Sequence, residues 1–205
     1  MRIAVFAKAP VPGRVKTRLA VHLGEERAAR LAAALTSRAL ATAVGAGIGP
    51  VELWCSPDAS HPFFQECASR FRVRLREQRG EDLGSRMEAA IEDALAARSP
   101  VLLIGSDCPA LDAAVLERAA AALARHDAVF VPAEDGGYVL VGMARRVPGA
   151  FDAIAWAGDN VMQQTRERLV RAHARWQELD PLWDVDRPED YARMRREGLG
   201  LEASA

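Results

Sequence analysis

Val101-Leu-Leu-Ile104 is apolar at four consecutive positions, with no polar residue to mark a solvent face. A strand of that kind is buried on both sides, the pattern of a central, parallel strand covered by helices. Shorter apolar runs at Ile3–Phe6, Val51–Cys55, Ala128–Val131 and Tyr138–Val141 read as further strands, and Val73–Arg76 alternates apolar and charged residues as a half-exposed one does. Between them lie helical patterns at Glu25–Val44, Pro62–Phe71, Met87–Ala97, Ala113–Arg125, Asn160–His173 and Tyr191–Glu197. Strands alternating with helices predict a three-layer α/β/α sandwich around a mostly parallel, mixed sheet. The expected inward residues are Leu31, Leu35 and Leu40 in one helix, Phe63, Phe64 and Phe71 in the next, and Val161, Leu169 and Val170 near the end. The 205 residues suit one sizeable domain, 1–205, and no linker or repeat divides them.

The first strand runs into Phe6-Ala-Lys-Ala-Pro-Val-Pro-Gly-Arg-Val-Lys-Thr-Arg-Leu19. Pro10, Pro12 and Gly13 fix a loop there, since proline locks φ and cannot donate a backbone hydrogen bond. Lys8, Arg14, Lys16 and Arg18 are grouped on it, with Thr17 among them. A rigid cationic loop at the carboxyl end of a first strand suits a polyphosphate. Gly13 is followed by Arg14 and no Gly-Lys-Ser/Thr closes the run, so it is not a Walker A loop; phosphate binding would rest on side-chain charge. Gly45-Ala-Gly-Ile-Gly-Pro50 follows a helix and lacks dinucleotide-fingerprint spacing, so it reads as a loop.

With 27 basic and 28 acidic residues the formal net charge is -1, which argues against a general nucleic-acid binder and for a small anionic ligand at a local basic site. The short apolar run before Lys8 does not have the form of a signal peptide, and no stretch approaches a membrane span. Cys55, Cys67 and Cys108 are odd in number, lack metal-ligand spacing and suit a reducing cytoplasm. His22, His61, His126 and His173 are scattered, so no zinc site is expected.

Three acidic segments carry the remaining chemistry. Asp107 follows the central strand, where open α/β sheets bind ligands, and a carboxylate there is a natural Mg²⁺ ligand; the plain alternative is a turn aspartate bonding its own backbone. Asp184 and Asp186 alternate about Val185 and so face one way if extended. Asp186-Arg-Pro-Glu189 also has the form of a capping box, with Asp186 as N-cap. Asp135-Gly136-Gly137 reads as a tight turn into Tyr138, with the functional alternative that it meets an acceptor. No Ser/His/Asp or Cys/His nucleophile is identifiable, and Cys108 is expected to serve as a small side chain. Cations plus carboxylates match phosphoryl or nucleotidyl transfer, which runs on positioning and charge neutralisation.

The basic loop, Asp82-Leu-Gly-Ser-Arg-Met87, Gly105-Ser-Asp-Cys-Pro109, Asp135-Gly-Gly-Tyr138 and Asp184-Val-Asp-Arg-Pro-Glu-Asp190 together resemble a bacterial family labelled glycosyltransferase-like, of the GT-A nucleotide-diphospho-sugar transferase fold. The resemblance runs from Arg2 to about Tyr191 and extends to phospholactate guanylyltransferase, the molybdenum-cofactor guanylyltransferase and the sugar-acid cytidylyltransferases. It implies that Arg14, Lys16 and Arg18 hold a triphosphate, that Asp107 and Asp186 ligate Mg²⁺ or Mn²⁺, and that Asp82, Leu83 and Gly84 meet the base or ribose. Lys16 and Asp107 are then the catalytic candidates, with Lys8, Thr17, Asp135, Gly136, Gly137 and Tyr138 completing the substrate site. The loop lacks the several glycines of the commonest nucleotidyltransferase signature, and Asp107-Cys-Pro has one acid where many glycosyltransferases have Asp-X-Asp. The expected activity is nucleotidyl transfer from an NTP to a small phosphate- or carboxylate-bearing acceptor. The alternatives are glycosyl transfer from a nucleotide-sugar and a nucleotide-binding module without catalysis.

Overall fold

The computed structural model describes residues 1–156 and 158–199. Among the described residues there are seven strands: β1 (Arg2–Lys8), β2 (Val51–Ser56), β3 (Arg74–Glu77), β4 (Val101–Gly105), β5 (Ala128–Pro132), β6 (Tyr138–Met143) and β7 (Trp176–Glu178). The helices among the described residues that connect or follow them are α1 (Thr17–Leu23), α2 (Glu25–Gly45), α3 (Pro62–Phe71), α4 (Leu83–Ala96), α5 (Ala113–Leu123), α6 (Val161–Arg171) and α7 (Pro188–Arg196). The strands form one sheet in the order β3-β2-β1-β4-β6-β5-β7. Only β6 runs against its neighbours, pairing antiparallel with both β4 and β5; the other pairings are parallel.

β1 and β4 are apolar on both faces because both faces are covered. Ile3, Val5 and Ala7, with Leu102 and Ile104, pack toward α2, α3 and α5 through Leu40, Phe64 and Leu116. Ala4 and Phe6, with Val101 and Leu103, pack toward α4 and α6 through Met87, Ile91 and Leu169. The alternation is the two-residue period of a strand, and it makes both sides of this sheet core.

From β1 the chain moves outward to β2 and β3, then returns to lay β4 on the other side of β1. The gap between the carboxyl ends of β1 and β4 is therefore the topological switch point, where such sheets bind ligands. A smaller core of Leu19, Leu31, Leu35, Trp183, Val185 and Met194 ties α1 and α2 to α7 and the segment before it. That packing brings the loop after β1 to the segment after β7.

Several expectations are corrected. The helix expected over Glu25–Val44 is α2, and a further short helix that was not expected, α1, precedes it, the two separated at Gly24, whose φ of 80° leaves the helical region. Helix α4 starts at Leu83, four residues earlier than expected, because the Asp82 carboxylate accepts from Ser85 N–H at 2.7 Å and the Ser85 hydroxyl accepts from Asp82 N–H at 3.1 Å. Helix α7 is preceded by Arg187, and Asp186 is not its N-cap: the Asp190 carboxylate accepts from the N–H groups of Arg187 (2.7 Å) and Asp186 (3.1 Å), leaving the Asp186 side chain free of that task. Val170 is 60 % exposed, since Val161, Thr165 and Leu169 at four-residue spacing define the inward face of α6.

β7 is not expected from sequence. Its three residues have no apolar run, and it exists through its pairing with β5. Asp127 secures it: the carboxylate accepts from Arg145 at 2.7 and 2.8 Å and from the Arg175 N–H at 2.7 Å. These bonds hold the Asp127 carboxyl down at about 2 against an ordinary 3.8. The stabilisation is complete above the ordinary value and is lost as pH falls through the lowered one.

Candidate active site

Strand β1 delivers Lys8 to the switch point, and the next residues turn tightly, with Val11 N–H bonded to Ala9 O and Arg14 N–H to Val11 O. Lys16 then adopts φ 49°, ψ 41° immediately before α1. A left-handed non-glycine residue costs on the order of 1–3 kcal/mol and persists only where its surroundings impose it. Here they do. The Lys16 side chain is 4 % exposed, its ammonium pairs with Asp107 Oδ2 at 2.7 Å, and it donates to Val185 O at 2.6 Å.

Asp107 is held from its backbone as well, its carbonyl accepting from Val185 N–H at 2.9 Å. Val185 is fully buried, so Asp184 and Asp186 on either side of it turn to the cavity together, as their alternation predicts. Arg18 forms an ion pair with Asp186. Two cations of the basic loop are thus matched to two carboxylates from the other half of the sheet.

The cavity these groups enclose measures about 590 Å³. It is lined by Lys8, Arg14, Lys16, Thr17, Arg18, Leu83, Asp107, Asp135, Gly137, Tyr138 and Asp186, which joins most of the sequence candidates in one place. Asp82, Gly84 and Gly136 are not in the lining. The Asp82 carboxylate caps α4, and Gly84 is pressed against the Trp156 indole, whose ring atoms lie 2.5–2.9 Å from where a Cβ would stand. Gly136 is a backbone hinge: its φ is +92°, and a Cβ would fall 1.7 Å from Asp159 O.

Among the lining residues that sequence reasoning missed are Gln78 and Trp156. The Gln78 amide donates to Ala7 O (3.3 Å) and Trp54 O (2.8 Å), binding the end of β3 to β1 and β2. Trp156 comes from the irregular segment between β6 and α6, and its Nε1–H is buried without a partner. Nothing in its flanking residues signals a site; the contact with Gly84 is visible only in three dimensions. Cys108 also lines the cavity, and burial pushes its thiol up to about 12, so it is a protonated small side chain at neutral pH.

The electrostatics show excess negative charge on one side. Burial, then the carboxylates of Asp135, Asp107 and Asp186, raise the Asp184 carboxyl to about 6, with Lys16 opposing them. Because the folded value is raised, this group stabilises the fold fully below its unfolded value of 3.8, and that contribution is lost as pH rises through 6. Asp184→Asn is therefore expected to stabilise the metal-free protein at pH 7 by roughly 1–3 kcal/mol. The gain should vanish near pH 4 in urea unfolding, the unfolded-state carboxylate value.

Among the described residues, no cluster of three His, Cys, Asp or Glu side chains is placed to hold a metal. Asp107 and Asp186 nonetheless present hard oxygen donors to one cavity, with the Asp184 carboxyl beside them. That donor set fits Mg²⁺, which takes one or two protein carboxylates and completes its shell with water and phosphate oxygens.

Fold and site together define a protein of the GT-A, nucleotide-diphospho-sugar transferase-like class. A protein of Desulfovibrio desulfuricans G20, named provisionally as a nucleotide-diphospho-sugar transferase, is 32 % identical and superposes with a TM-score of 0.82 over 91 % of this chain and 82 % of that one. A nucleotidyl transferase of Methanothermobacter thermautotrophicus matches at 17 % identity and TM-score 0.62, covering 97 % of this chain and 98 % of its own. The 4-diphosphocytidyl-2C-methyl-D-erythritol synthase of Anaerococcus prevotii does so at 11 % and 0.64, with the same coverage; these two likenesses are of fold. No curated protein sequence matches the chain. Residues 39–158 match the family described as "Uncharacterized protein conserved in bacteria (DUF2064)", and the chain belongs to that family.

Proposed function

We propose that this protein is a magnesium-dependent nucleotidyltransferase, moving NMP from an NTP to a small-molecule acceptor with release of pyrophosphate. One observation carries the reading: a buried lysine of a cationic loop faces Asp107 across the switch point, inside a cavity of about 590 Å³. The names of the structural relatives support it, since they include a nucleotidyl transferase and a 4-diphosphocytidyl-2C-methyl-D-erythritol synthase.

Arg14, Lys16 and Arg18 bind and neutralise the phosphate chain, and the strained Lys16 backbone fixes its ammonium at the cavity floor. Asp107 and Asp186 would hold Mg²⁺ or Mn²⁺, which supplies charge neutralisation at the transferred phosphoryl group when bound. An acceptor oxygen lying toward Asp135–Tyr138 attacks the α-phosphorus in line. The bond from that phosphorus to the bridging oxygen breaks, its electron pair leaves with pyrophosphate, and the acceptor proton passes to solvent or a cavity carboxylate.

Glycosyl transfer is the second reading, favoured by the provisional name of the 32 %-identical relative. It would use the same cavity, with the bond broken at the anomeric carbon of a nucleotide-sugar. Incubating the protein with each NTP or UDP- and GDP-sugar, magnesium and an acceptor panel separates the two. Pyrophosphate release supports nucleotidyl transfer; nucleoside diphosphate release replaces it with glycosyl transfer. Nucleotide binding without either product would leave a binding module.

A further inference from the structure

The cavity is polarised along the sheet. Its cations, Lys8, Arg14, Lys16 and Arg18, come from β1, the loop after it and the first turn of α1. Its acids, Asp107, Asp135, Asp184 and Asp186, come from the loop after β4, the β5–β6 turn and the segment after β7. Around the β5–β6 turn, the described lining residues Ala133, Asp135, Gly137, Tyr138, Val139 and Trp156 include no Lys, Arg or His; Lys16 and Arg18 reach across only as far as Asp107, Val185 and Asp186. The wall there is aromatic: Tyr138 and Trp156 meet edge to face with ring centroids 6.4 Å apart. Its buried polar atoms without a partner are both uncharged, the Trp156 Nε1–H and the Tyr138 hydroxyl.

We infer that the acceptor carries no negative charge and is a neutral polyhydroxyl compound, taken hydroxyl-first against the carboxylates with a ring or carbon face on the aromatic wall. The inference rests on the reading of this cavity as a transferase site, and it reverses the sequence expectation of a phosphate- or carboxylate-bearing acceptor. A phosphate at this end would face Asp135 and Asp184, while the cations that reach toward it, Lys16 and Arg18, are already matched to Asp107 and Asp186. Hydroxyl groups donate to carboxylates, and apolar ring faces pack on aromatics with a few polar groups fixing orientation. The product of nucleotidyl transfer is then a phosphodiester between NMP and a hydroxyl of the acceptor.

Saturation-transfer NMR on the full chain with magnesium tests this, using the matched pairs glucose and glucose 1-phosphate, and glycerol and glycerol 3-phosphate. Each pair is read with and without a non-hydrolysable NTP analogue. The neutral member of each pair is expected to bind at least about tenfold more tightly than its phosphate. Asp135→Lys is expected to shift that ratio toward the phosphate by about tenfold. Equal or tighter binding of the phosphates by the natural protein, or saturation of neither member, would overturn the inference. Failure of the NTP analogue to bind would instead sink the nucleotidyltransferase reading, while the nucleotide-free comparison still reports the charge preference of this end.

Discussion

Asp107→Asn is expected to slow transfer by about a thousandfold or more, the scale on which removing a preorganised electrostatic group in an active site acts. The substitution keeps the shape of the side chain and removes its charge. The backbone bond from Val185 N–H to Asp107 O is untouched, so the strap between the β4 exit and the segment after β7 survives. The change does leave the Lys16 ammonium, 4 % exposed, without its 2.7 Å partner. A buried charge stripped of its partner costs on the order of 1–3 kcal/mol, so some loss of stability will accompany the loss of rate. The double variant Asp107→Asn with Lys16→Met separates the effects. Removing both charges should recover most of the stability, as apolar replacement of a buried ion pair commonly does. Activity should stay at the floor. Recovery of turnover in the double variant would show that Asp107 serves only to neutralise Lys16.

Gly136→Ala is expected to destabilise the fold by about 3–5 kcal/mol, from left-handed strain added to overpacking. The Cβ would stand 1.7 Å from Asp159 O, and that obstacle is backbone, so no rotamer change relieves it. The same approach carries a bond from Met162 N–H to Gly136 O at 2.8 Å, which seats the first turn of α6 on the Asp-Gly-Gly turn. Moving the turn moves Asp135 and Tyr138, hence acceptor affinity should fall in any molecules that remain folded. Chemical unfolding measures the first effect, and a midpoint shift within error of zero would contradict the close approach.

The sheet was legible from sequence wherever side chains announce burial. Val101–Ile104, apolar on both faces, is a central strand, and Asp135-Gly-Gly turns β5 back into an antiparallel β6. Boundaries set by polar hydrogen bonds were less legible: the Asp82–Ser85 cap starts α4 early, and Asp190 rather than Asp186 closes the entry to α7. β7 was invisible because Trp176-Gln-Glu178 is strand only through β5, a tertiary effect. In the site, the charged candidates converge because each lies at the carboxyl end of a strand or in the segment that α1, α2 and α7 pack against it. Trp156 was not legible, since an isolated aromatic in an irregular segment has no local pattern to mark it. The loss of Asp82 and Gly84 from the lining has the same origin, a cap and a packing contact that outweigh a motif.

Binding of NTPs followed by calorimetry, with and without magnesium, tests the central claim most directly. Lys16 and Arg18 are paired with Asp107 and Asp186, the two carboxylates assigned to the metal. Metal and nucleotide should therefore help each other: magnesium on the carboxylates frees the cations for phosphate, and phosphate on the cations frees the carboxylates for metal. The expected result is one NTP whose affinity rises at least about tenfold with magnesium, and magnesium whose affinity rises by the same factor with that NTP. Equal NTP affinity in magnesium and in chelator, or no NTP binding in either, would contradict the assignment of this cavity to metal-dependent nucleotidyl transfer.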